Sequence, residues 1–208
     1  MWQNSGILAP DAATRKSQFA ELSADTPDGR ERRKAFSAAI RGTRFEFQGV
    51  GIEMNQRYKS SAVYQADEDG DISSLEGDAI LDYHKTTYPG ARVPHAWLNT
   101  AVPKRPISTI DLCGKGRFTI LTGIGGQAWR EAAAEATKAL RVPVEVFSIG
   151  FRQDYEDVYF EWEQLRGVEE NGCVLVRPDR FVAWRCKERL DDCTEKLVSV
   201  ICKVLSVE

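Results

Sequence analysis

Residues suited to acid–base chemistry and to binding a polar aromatic molecule concentrate between positions 57 and 97. We interpret Tyr83 and His84 as a candidate general acid and base, because phenol and imidazole groups transfer protons readily when suitably placed. Nearby cationic and aromatic side chains would bind the ligand, and a guanidinium there would hold an enolate or carboxylate. These candidate binding residues are Arg57, Tyr58, Arg92, His95 and Trp97.

An alternative interpretation of the same residues is structural. Tyrosines and histidines are often half-buried, with polar ends that hydrogen-bond to the backbone. Residue types and spacing leave both interpretations open.

A glycine-rich stretch, Gly123–Ala128, fits the G-x-G-x-x-A pattern of dinucleotide-binding turns, and Glu145 follows at a suitable distance. However, Glu145 falls within a predicted strand, and an antiparallel hairpin follows in place of further parallel units. We therefore interpret the glycines as a tight turn that lets a helix pack closely on a sheet, and we expect no cofactor there.

Cysteines and histidines give little support for redox or metal chemistry. The five cysteines include no Cys-x-x-Cys pair, and the predicted helix after Gly126 lacks a cysteine at its start. His84 and His95 have no carboxylate at a defensible ligand spacing. We therefore predict reduced, partly buried thiols and no metal site.

Charge and hydropathy argue against some classes of binding partner. The chain has 208 residues with a formal charge of −3, so no basic field suggests a nucleic acid or an anionic membrane. No apolar run approaches the ~20 residues of a membrane span. We expect a cytoplasmic protein.

The second half of the chain predicts a regular α/β fold. Strand-like and helix-like patterns alternate in the order β-α-β-α-β-β-α, which is that of a thioredoxin-like sandwich. We therefore predict an N-terminal helix and extended arm over residues 1–107 and a thioredoxin-like domain over 108–208. The predicted elements are strands at Phe118–Thr122, Val144–Ile149, Cys173–Val176 and Phe181–Cys186, and helices at Gln127–Arg141, Asp154–Arg166 and Lys187–Val204.

The first half predicts an irregular α+β arm. Asp28–Gly42 has a helical pattern, Gln65–Asp78 is an acidic loop expected to be solvated, and Tyr88–Trp97 must be extended and irregular because of its prolines and glycine. Strands are predicted at Phe45–Phe47, Gln56–Tyr64 and Ala79–His84.

Several stretches resemble the C-terminal part of FAD-dependent aromatic hydroxylases of the phenol and chlorophenol monooxygenase and polyketide hydroxylase type. They are Thr86–Leu98, Ser108–Leu112, Gly116–Gly123 and Val174–Arg185. Asp28–Arg33 and Asn55–Tyr58 resemble the segment that leads out of that family's flavin domain. The resemblance implies a thioredoxin-like domain without redox cysteines, often involved in dimerisation. It implies that FAD binding and hydroxylation need the family's upstream motifs, which this sequence does not show, and it transfers no catalytic residue.

Two functions from different classes follow. The first is a flavin-free enzyme that acts on a phenolic or polyketide-like molecule by cyclisation, isomerisation, dehydration or a pericyclic step, as a homodimer. It would use Tyr83 and His84 and need no cofactor. The second is a dimerisation or accessory subunit of a separate flavin hydroxylase. A fragment of a larger reading frame without separate function is a third alternative.

Overall fold

The computed structural model describes residues 8–70 and 77–207. The chain forms two compact units: Met1–Glu53 with Asp78–Asp82, and Met54–Gly77 with Tyr83–Glu208. Residues 83–107, predicted as part of an arm, thus belong to the second unit. The proposed domain division after residue 107 stays a prediction. None of the described helices is long and apolar enough to cross a bilayer.

Short helices make up the described part of the first unit. They are α1 (Ala12–Glu21), α2 (Pro27–Gly42), α3 (Arg44–Phe47) and α4 (Val50–Met54), which ends one residue into the second unit. The hydroxyl of Thr26 accepts a hydrogen bond from the Gly29 N–H at 3.0 Å and caps α2. Pro27 occupies the first helical position, where a missing N–H costs nothing. The predicted helix over Asp28–Gly42 is therefore confirmed.

The three strands predicted before residue 85 are wrong. Phe45–Phe47 lies in the helix α3, and Ala79–His84 begins with a turn in which the Asp78 carboxylate accepts from the Ile80 N–H at 2.8 Å. Gln56–Tyr64 makes isolated hydrogen bonds in place of a ladder. The predicted α+β character of the arm is thus replaced, in the described part of the first unit, by helices and turns. Residues that favour β structure do not form a strand when no neighbouring strand pairs with them.

A four-stranded sheet forms the centre of the second unit. Its strands are β3 (Phe118–Thr122), β4 (Val144–Ser148), β6 (Cys173–Val176) and β7 (Val182–Cys186), in the spatial order β4-β3-β6-β7. β3 and β4 are parallel, and the other pairs are antiparallel. With helices α6 (Gln127–Leu140) and α8 (Cys193–Leu205), this confirms the predicted α/β fold and its thioredoxin-like order.

Two predicted helices are shorter than expected. Asp154–Arg166 contains only α7 (Glu161–Leu165), because the Asp157 carboxylate accepts hydrogen bonds from the backbone N–H groups of Glu161 and Glu163 and starts the helix there. The last helix begins at Cys193, where the Asp192 side chain accepts from the Glu195 N–H at 2.8 Å.

Side chains alternate between the two faces of the central sheet, as a strand requires. Ile120, Leu175 and Trp184 face α6 and α8, and the rings of Trp129 and Trp184 meet edge to face at 5.8 Å. Leu121 and Val174 belong to the opposite core cluster, and Val182 joins them because the pairing of β6 with β7 shifts register between Leu175 and Val176. The sheet is consequently buried on both faces.

The second face is covered without a long helix. Val93, Ala96 and Leu98, all 2% exposed or less, pack there together with Trp162 of α7. A small antiparallel sheet completes this layer, with the order β2-β1-β5 and, after β2, the short helix α5. Their bounds are β1 (Trp97–Asn99), β2 (Ile107–Ser108), β5 (Glu156–Asp157) and α5 (Thr109–Leu112).

The predicted irregular course of Tyr88–Trp97 is confirmed, and the segment is bonded to the edge of the sheet. Gly90 N–H donates to the Val182 carbonyl, and Val182 N–H donates to the Ala91 carbonyl, each at 2.8 Å. Val93 N–H donates to the Arg180 carbonyl at 2.9 Å. These bonds satisfy buried backbone groups that have no regular ladder.

The glycine-rich turn after β3 is shaped by close contacts. A Cβ on Gly123 would lie 2.7 Å from the Glu170 carbonyl oxygen, and one on Gly126 would lie 2.9 Å from Thr122 Cβ. Neither position has room for a side chain. The pattern is therefore explained by close packing of the turn, as predicted.

Replacing Gly126 by Ala tests this account. The backbone there has φ −82°, which alanine tolerates, so the effect is steric. We expect Gly126→Ala to lower the free energy of unfolding by about 1–3 kcal/mol through overpacking. Gly70→Ala, where no atom lies within 4 Å of the added Cβ, is the matched control and should change it little. Urea unfolding followed by tryptophan fluorescence measures both; equal effects would contradict the close-packing explanation.

Candidate functional site

Two of the predicted site residues, Tyr58 and Arg92, lie around the ring of Phe181. Tyr58 meets Phe181 edge to face, with ring centroids 4.6 Å apart. The Arg92 guanidinium lies 4.8 Å from the Phe181 centroid, and that of Arg177 lies 4.7 Å from the Tyr58 centroid. We call Arg92, Phe181, Tyr58 and Arg177 the Phe181 stack. Tyr83 is close enough for the Arg92 charge to affect its phenol.

Burial raises the pKa of Tyr83, and the positive charge of Arg92 only partly offsets this. Tyr83 therefore stays protonated at neutral pH and can donate a hydrogen bond, but it is a poor base. Arg92 Nη2 donates to Gln56 Oε1 at 3.0 Å and the guanidinium lies on an aromatic face, whereas its buried Nε has no hydrogen-bond partner in the described structure.

His84 is held through its backbone. Its N–H donates to Asn55 Oδ1 at 2.9 Å. Its ring atom Nε2 is buried and has no hydrogen-bond partner within the described ranges. A buried imidazole nitrogen without a partner is uncommon, and it is the one feature at this residue that suits proton transfer.

His95 and Trp97 lie at the β1–β2 pair. His95 Nδ1 is 2.7 Å from Ser108 Oγ, and its ring meets that of Trp97 edge to face at 4.7 Å. Ser108 Oγ also accepts from the Ile110 N–H and so caps α5. His95 therefore helps to fix the start of this helix.

A cavity of about 480 Å³ contains two of the predicted binding residues, Arg57 and Tyr58. We call it the Tyr58–Tyr88 cavity; it carries the cations Arg57 and Lys59 beside two aromatic rings. Tyr83, His84, Arg92, His95 and Trp97 are not among its described lining residues. The structure thus brings together part of the predicted set, and the predicted assignment of catalytic and binding roles stays a prediction.

The acidic loop was not expected to take part in this region. In the described portion Gln65–Gly70, Glu68 accepts from Arg185 Nε at 2.8 Å and from Nη2 at 2.6 Å, and these side chains are 7% and 15% exposed. Asp67 accepts from Trp184 Nε1 and from Lys196 Nζ, both at 2.8 Å, and Asp69 pairs with Lys187. The prediction of a solvated loop is confirmed for the exposed residues Ala66, Asp67, Asp69 and Gly70 and is wrong for Glu68, and residues 71–76 lie outside the described ranges.

These contacts cross a large sequence separation, 117 positions for Glu68 and Arg185. The available signal was the pair of cations two residues apart, Arg185 and Lys187, facing a run of three carboxylates. Such complementarity becomes informative only once β7 and the loop are known to be neighbours.

Buried thiols in the second unit are poor nucleophiles. Burial raises the pKa of Cys113 to about 12 and also raises the pKa values of Cys173, Cys186 and Cys193. Neutral thiols do not attack disulfides or bind metals effectively. Across residues 8–70 and 77–207, no group of three or more His, Cys, Asp or Glu is arranged to hold a metal ion.

Comparison with known proteins identifies relatives of the whole fold. The family model "Aromatic-ring hydroxylase, C-terminal" matches residues 86–206. The chain is 39% identical over 198 residues to 2,4-dichlorophenol 6-monooxygenase of Delftia acidovorans, covering 95% of this chain and 33% of that protein. It is 39% identical to phenol 2-monooxygenase of Pseudomonas sp. (strain EST1001), covering 91% and 31%. The chain thus spans about a third of the length of these curated relatives.

Solved structures of flavin-dependent enzymes also resemble this chain. The flavin-dependent monooxygenase PieE, in complex with FAD and substrate, is 37% identical with a TM-score of 0.74, over 100% of this chain and 35% of that one. Aklavinone-11 hydroxylase, in a ternary complex with FAD and aklavinone, is 32% identical with a TM-score of 0.60, over 73% and 26%.

Breaking the Glu68–Arg185 pair should destabilise the protein strongly. Removing one partner of a nearly buried ion pair leaves an uncompensated charge, so Glu68→Ala should lower the free energy of unfolding by about 3–5 kcal/mol. Glu135→Ala, which removes an exposed pair with Lys138, is the control and should cost less than about 1 kcal/mol. Similar losses in urea unfolding would show that the Glu68 pair is not special.

Acid should weaken the contact of Asp67. Partial burial raises its pKa, but hydrogen bonds from Lys196 and Trp184 outweigh this, so the pKa of Asp67 lies below the ordinary 3.8. A pKa lowered in the folded state stabilises the protein above the unfolded value, and this stabilisation is lost as pH falls through the folded pKa.

Asp67→Asn should therefore destabilise the protein at pH 7, by about 1 kcal/mol because the carboxylate is part-exposed and screened by solvent. The difference from the unsubstituted chain should shrink as the pH falls below 3.8. Thermal unfolding of both proteins between pH 7 and acid measures it. A difference that is constant with pH would contradict the ionic role.

Proposed function

The chain belongs to the family of aromatic-ring hydroxylase C-terminal regions, and we propose that it works as the C-terminal part of a flavin-dependent monooxygenase that acts on phenols. In this proposal the flavin is held by the part of the monooxygenase that lies outside the region matched by this chain. The flavin would supply the oxygen chemistry, and this chain would supply a rigid thioredoxin-like domain. Phenol-type substrates are proposed because they are named for two relatives that are each 39% identical to this chain.

The observation that carries this proposal is the extent of the match. It covers nearly the whole chain, including the helical first unit, and it covers only about a third of each relative. The side chains of the second unit support it, because the cations of the Phe181 stack and Arg185 are engaged by aromatic faces and carboxylates of the same unit. Removing one partner of such a contact destabilises a domain.

A grafted enzyme tests the proposal. The matched region of the Delftia acidovorans 2,4-dichlorophenol 6-monooxygenase is replaced by this chain, and hydroxylation of 2,4-dichlorophenol is measured under the relative's own assay conditions. We expect the graft to bind flavin and to regain activity that the relative loses when truncated before this region. A folded, flavin-loaded graft with no more activity than the truncated enzyme would refute the proposal.

Non-redox acid–base chemistry is the second candidate, favoured by one observation: the buried Nε2 of His84 without a hydrogen-bond partner in the described structure. In this candidate His84 and Tyr83 transfer protons on a phenolic or polyketide-like molecule that Arg57, Tyr58, Arg92, His95 and Trp97 bind. No specific observation favours an accessory subunit of a separate hydroxylase, and homodimerisation and a cytoplasmic location also stay predictions.

A rescue experiment separates the two candidates. The gene is deleted in the source cell, the natural chain or His84→Ala is restored at equal folded abundance, and phenolic metabolites are compared by mass spectrometry. If His84→Ala fails to restore the phenolic metabolites and the control Lys85→Ala restores them, the acid–base candidate is supported. Full rescue by His84→Ala would remove it.

A further inference from the structure

The described part of the first unit has almost no buried interior. Over residues 8–53 and 78–82, only Gly29 and Gly51 are buried, and glycine has no side chain to remove from water. The second unit differs sharply, since its core includes large side chains such as Trp129, which is 0% exposed. Burial of apolar side chains is the main favourable contribution to folding. The helices of the first unit therefore gain little stability from the described part of this chain.

Helix propensity does not replace that interior. Isolated helices shorter than ~12–15 residues are marginal in water, because the first turn orders several residues for a single hydrogen bond. In the first unit α1 has 10 residues, α3 has four and α4 has five. Of the described helices there, only α2 exceeds that length, with 16 residues and the Thr26 cap. These helices consequently need packing against another surface to be stable.

Large apolar side chains of the first unit are exposed to water instead. Phe47 is 75% exposed, Ile52 is 63% exposed and Phe45 is 58% exposed. Ile40 and Val50 are exposed as well. These five residues follow one another at the end of α2 and in α3 and α4, and we call them the α2–α4 apolar surface. Exposed apolar residues concentrated in this way are typical of a surface that another protein surface covers.

The relatives indicate what covers this surface. The match to the Delftia acidovorans 2,4-dichlorophenol 6-monooxygenase takes in 95% of this chain but 33% of that protein. The match to PieE, which was solved with FAD, takes in 100% of this chain and 35% of that one. The counterpart of the first unit in these proteins is thus joined to a much longer polypeptide. A surface on the same polypeptide has a high effective concentration, which favours it over a separate molecule as the partner.

We propose that the flavin-holding part of the monooxygenase covers the α2–α4 apolar surface, and that α1–α4 become stable helices only when that part is present. This inference rests on the proposed function. The contact is apolar, because the phenylalanine, isoleucine and valine side chains of the surface leave water by packing against apolar residues of the flavin-holding part. The second unit does not need this contact, since it has its own two core clusters.

Hydrogen exchange followed by mass spectrometry tests the proposal in the isolated chain and in the grafted enzyme described above. In the isolated chain, the protection factors of the α2–α4 amides should be about a hundredfold lower than those of β3, because helices without a buried interior open locally. In the graft, the protection of α2–α4 should rise at least about tenfold. Equal protection of α2–α4 in the two proteins, or no protection in a folded graft, would overturn the proposal.

A second copy of this chain is the competing partner. If two copies cover the surface, the protection of α2–α4 in the isolated chain should rise with protein concentration, and that result would also overturn the proposal. Amide protection requires no turnover, so this inference and the proposed function can fail separately. A flavin-loaded graft that is inactive but protected at α2–α4 counts against the proposed function alone. An active graft without that protection counts against this inference alone.

Two variants of the graft locate the contact. Phe47→Asp places a charge where the proposal requires an apolar contact, so it should lower the protection of α2–α4 about tenfold. Val102→Asp is the matched control, because Val102 is also 75% exposed but lies between β1 and β2, and it should leave this protection unchanged. Protected β3 amides show that each variant is folded. Unchanged α2–α4 protection in folded Phe47→Asp, or an equal loss in Val102→Asp, would overturn the assignment of the surface.

Discussion

A buried chain segment without regular structure must hydrogen-bond its backbone to something, and here the edge strand β7 provides the partners. The Gly90 N–H donates to the Val182 carbonyl, and the Val182 N–H donates to the Ala91 carbonyl. The Val93 N–H continues the contact by donating to the Arg180 carbonyl. This pairing also covers an edge that would otherwise present free N–H and C=O groups. The second core layer depends on it, because Val93, Ala96 and Leu98 reach the sheet only when the segment follows this course.

The polar residues around the segment reinforce the same attachment. The Phe181 stack joins Tyr58 to the residue directly before β7, and Tyr58 N–H donates to the Gly90 carbonyl at 2.9 Å. Glu68 and Arg185 tie the described part of the acidic loop to β7 itself. The high density of tyrosine and arginine in this stretch therefore has a structural explanation. The Tyr58–Tyr88 cavity and the buried Nε2 of His84 remain as the features of this stretch that could take part in chemistry.

Sequence patterns correctly predicted the elements whose secondary structure is determined by their local sequence. β3 and β6 have the predicted bounds, and α6 ends within one residue of its prediction, because continuous apolar strands and an alanine-rich amphipathic helix are recognisable locally. The α/β class and the hydroxylase family followed from these elements and from the motifs near Thr86 and Val174. Phe45–Phe47 failed because β propensity depends on a partner strand that is not there.

The candidate site was less predictable than the fold. Proximity in sequence suggested one pocket, but the extended backbone carries His95 to β1–β2, whereas Arg92 remains at the Phe181 stack. The Glu68–Arg185 pair depends on residues that only the completed fold brings together. Residue type indicated possible chemistry at these positions, but only tertiary structure assigned the contacts.

Native-state hydrogen exchange of the Gly90 and Val182 amides tests most directly whether the extended segment is an integral part of the sheet. If it is, both amides should exchange only through global unfolding of the second unit, with the same free energy as the amides of β3. Rapid exchange at Gly90 beside a protected β3 would show that the segment detaches independently, and it would contradict this account.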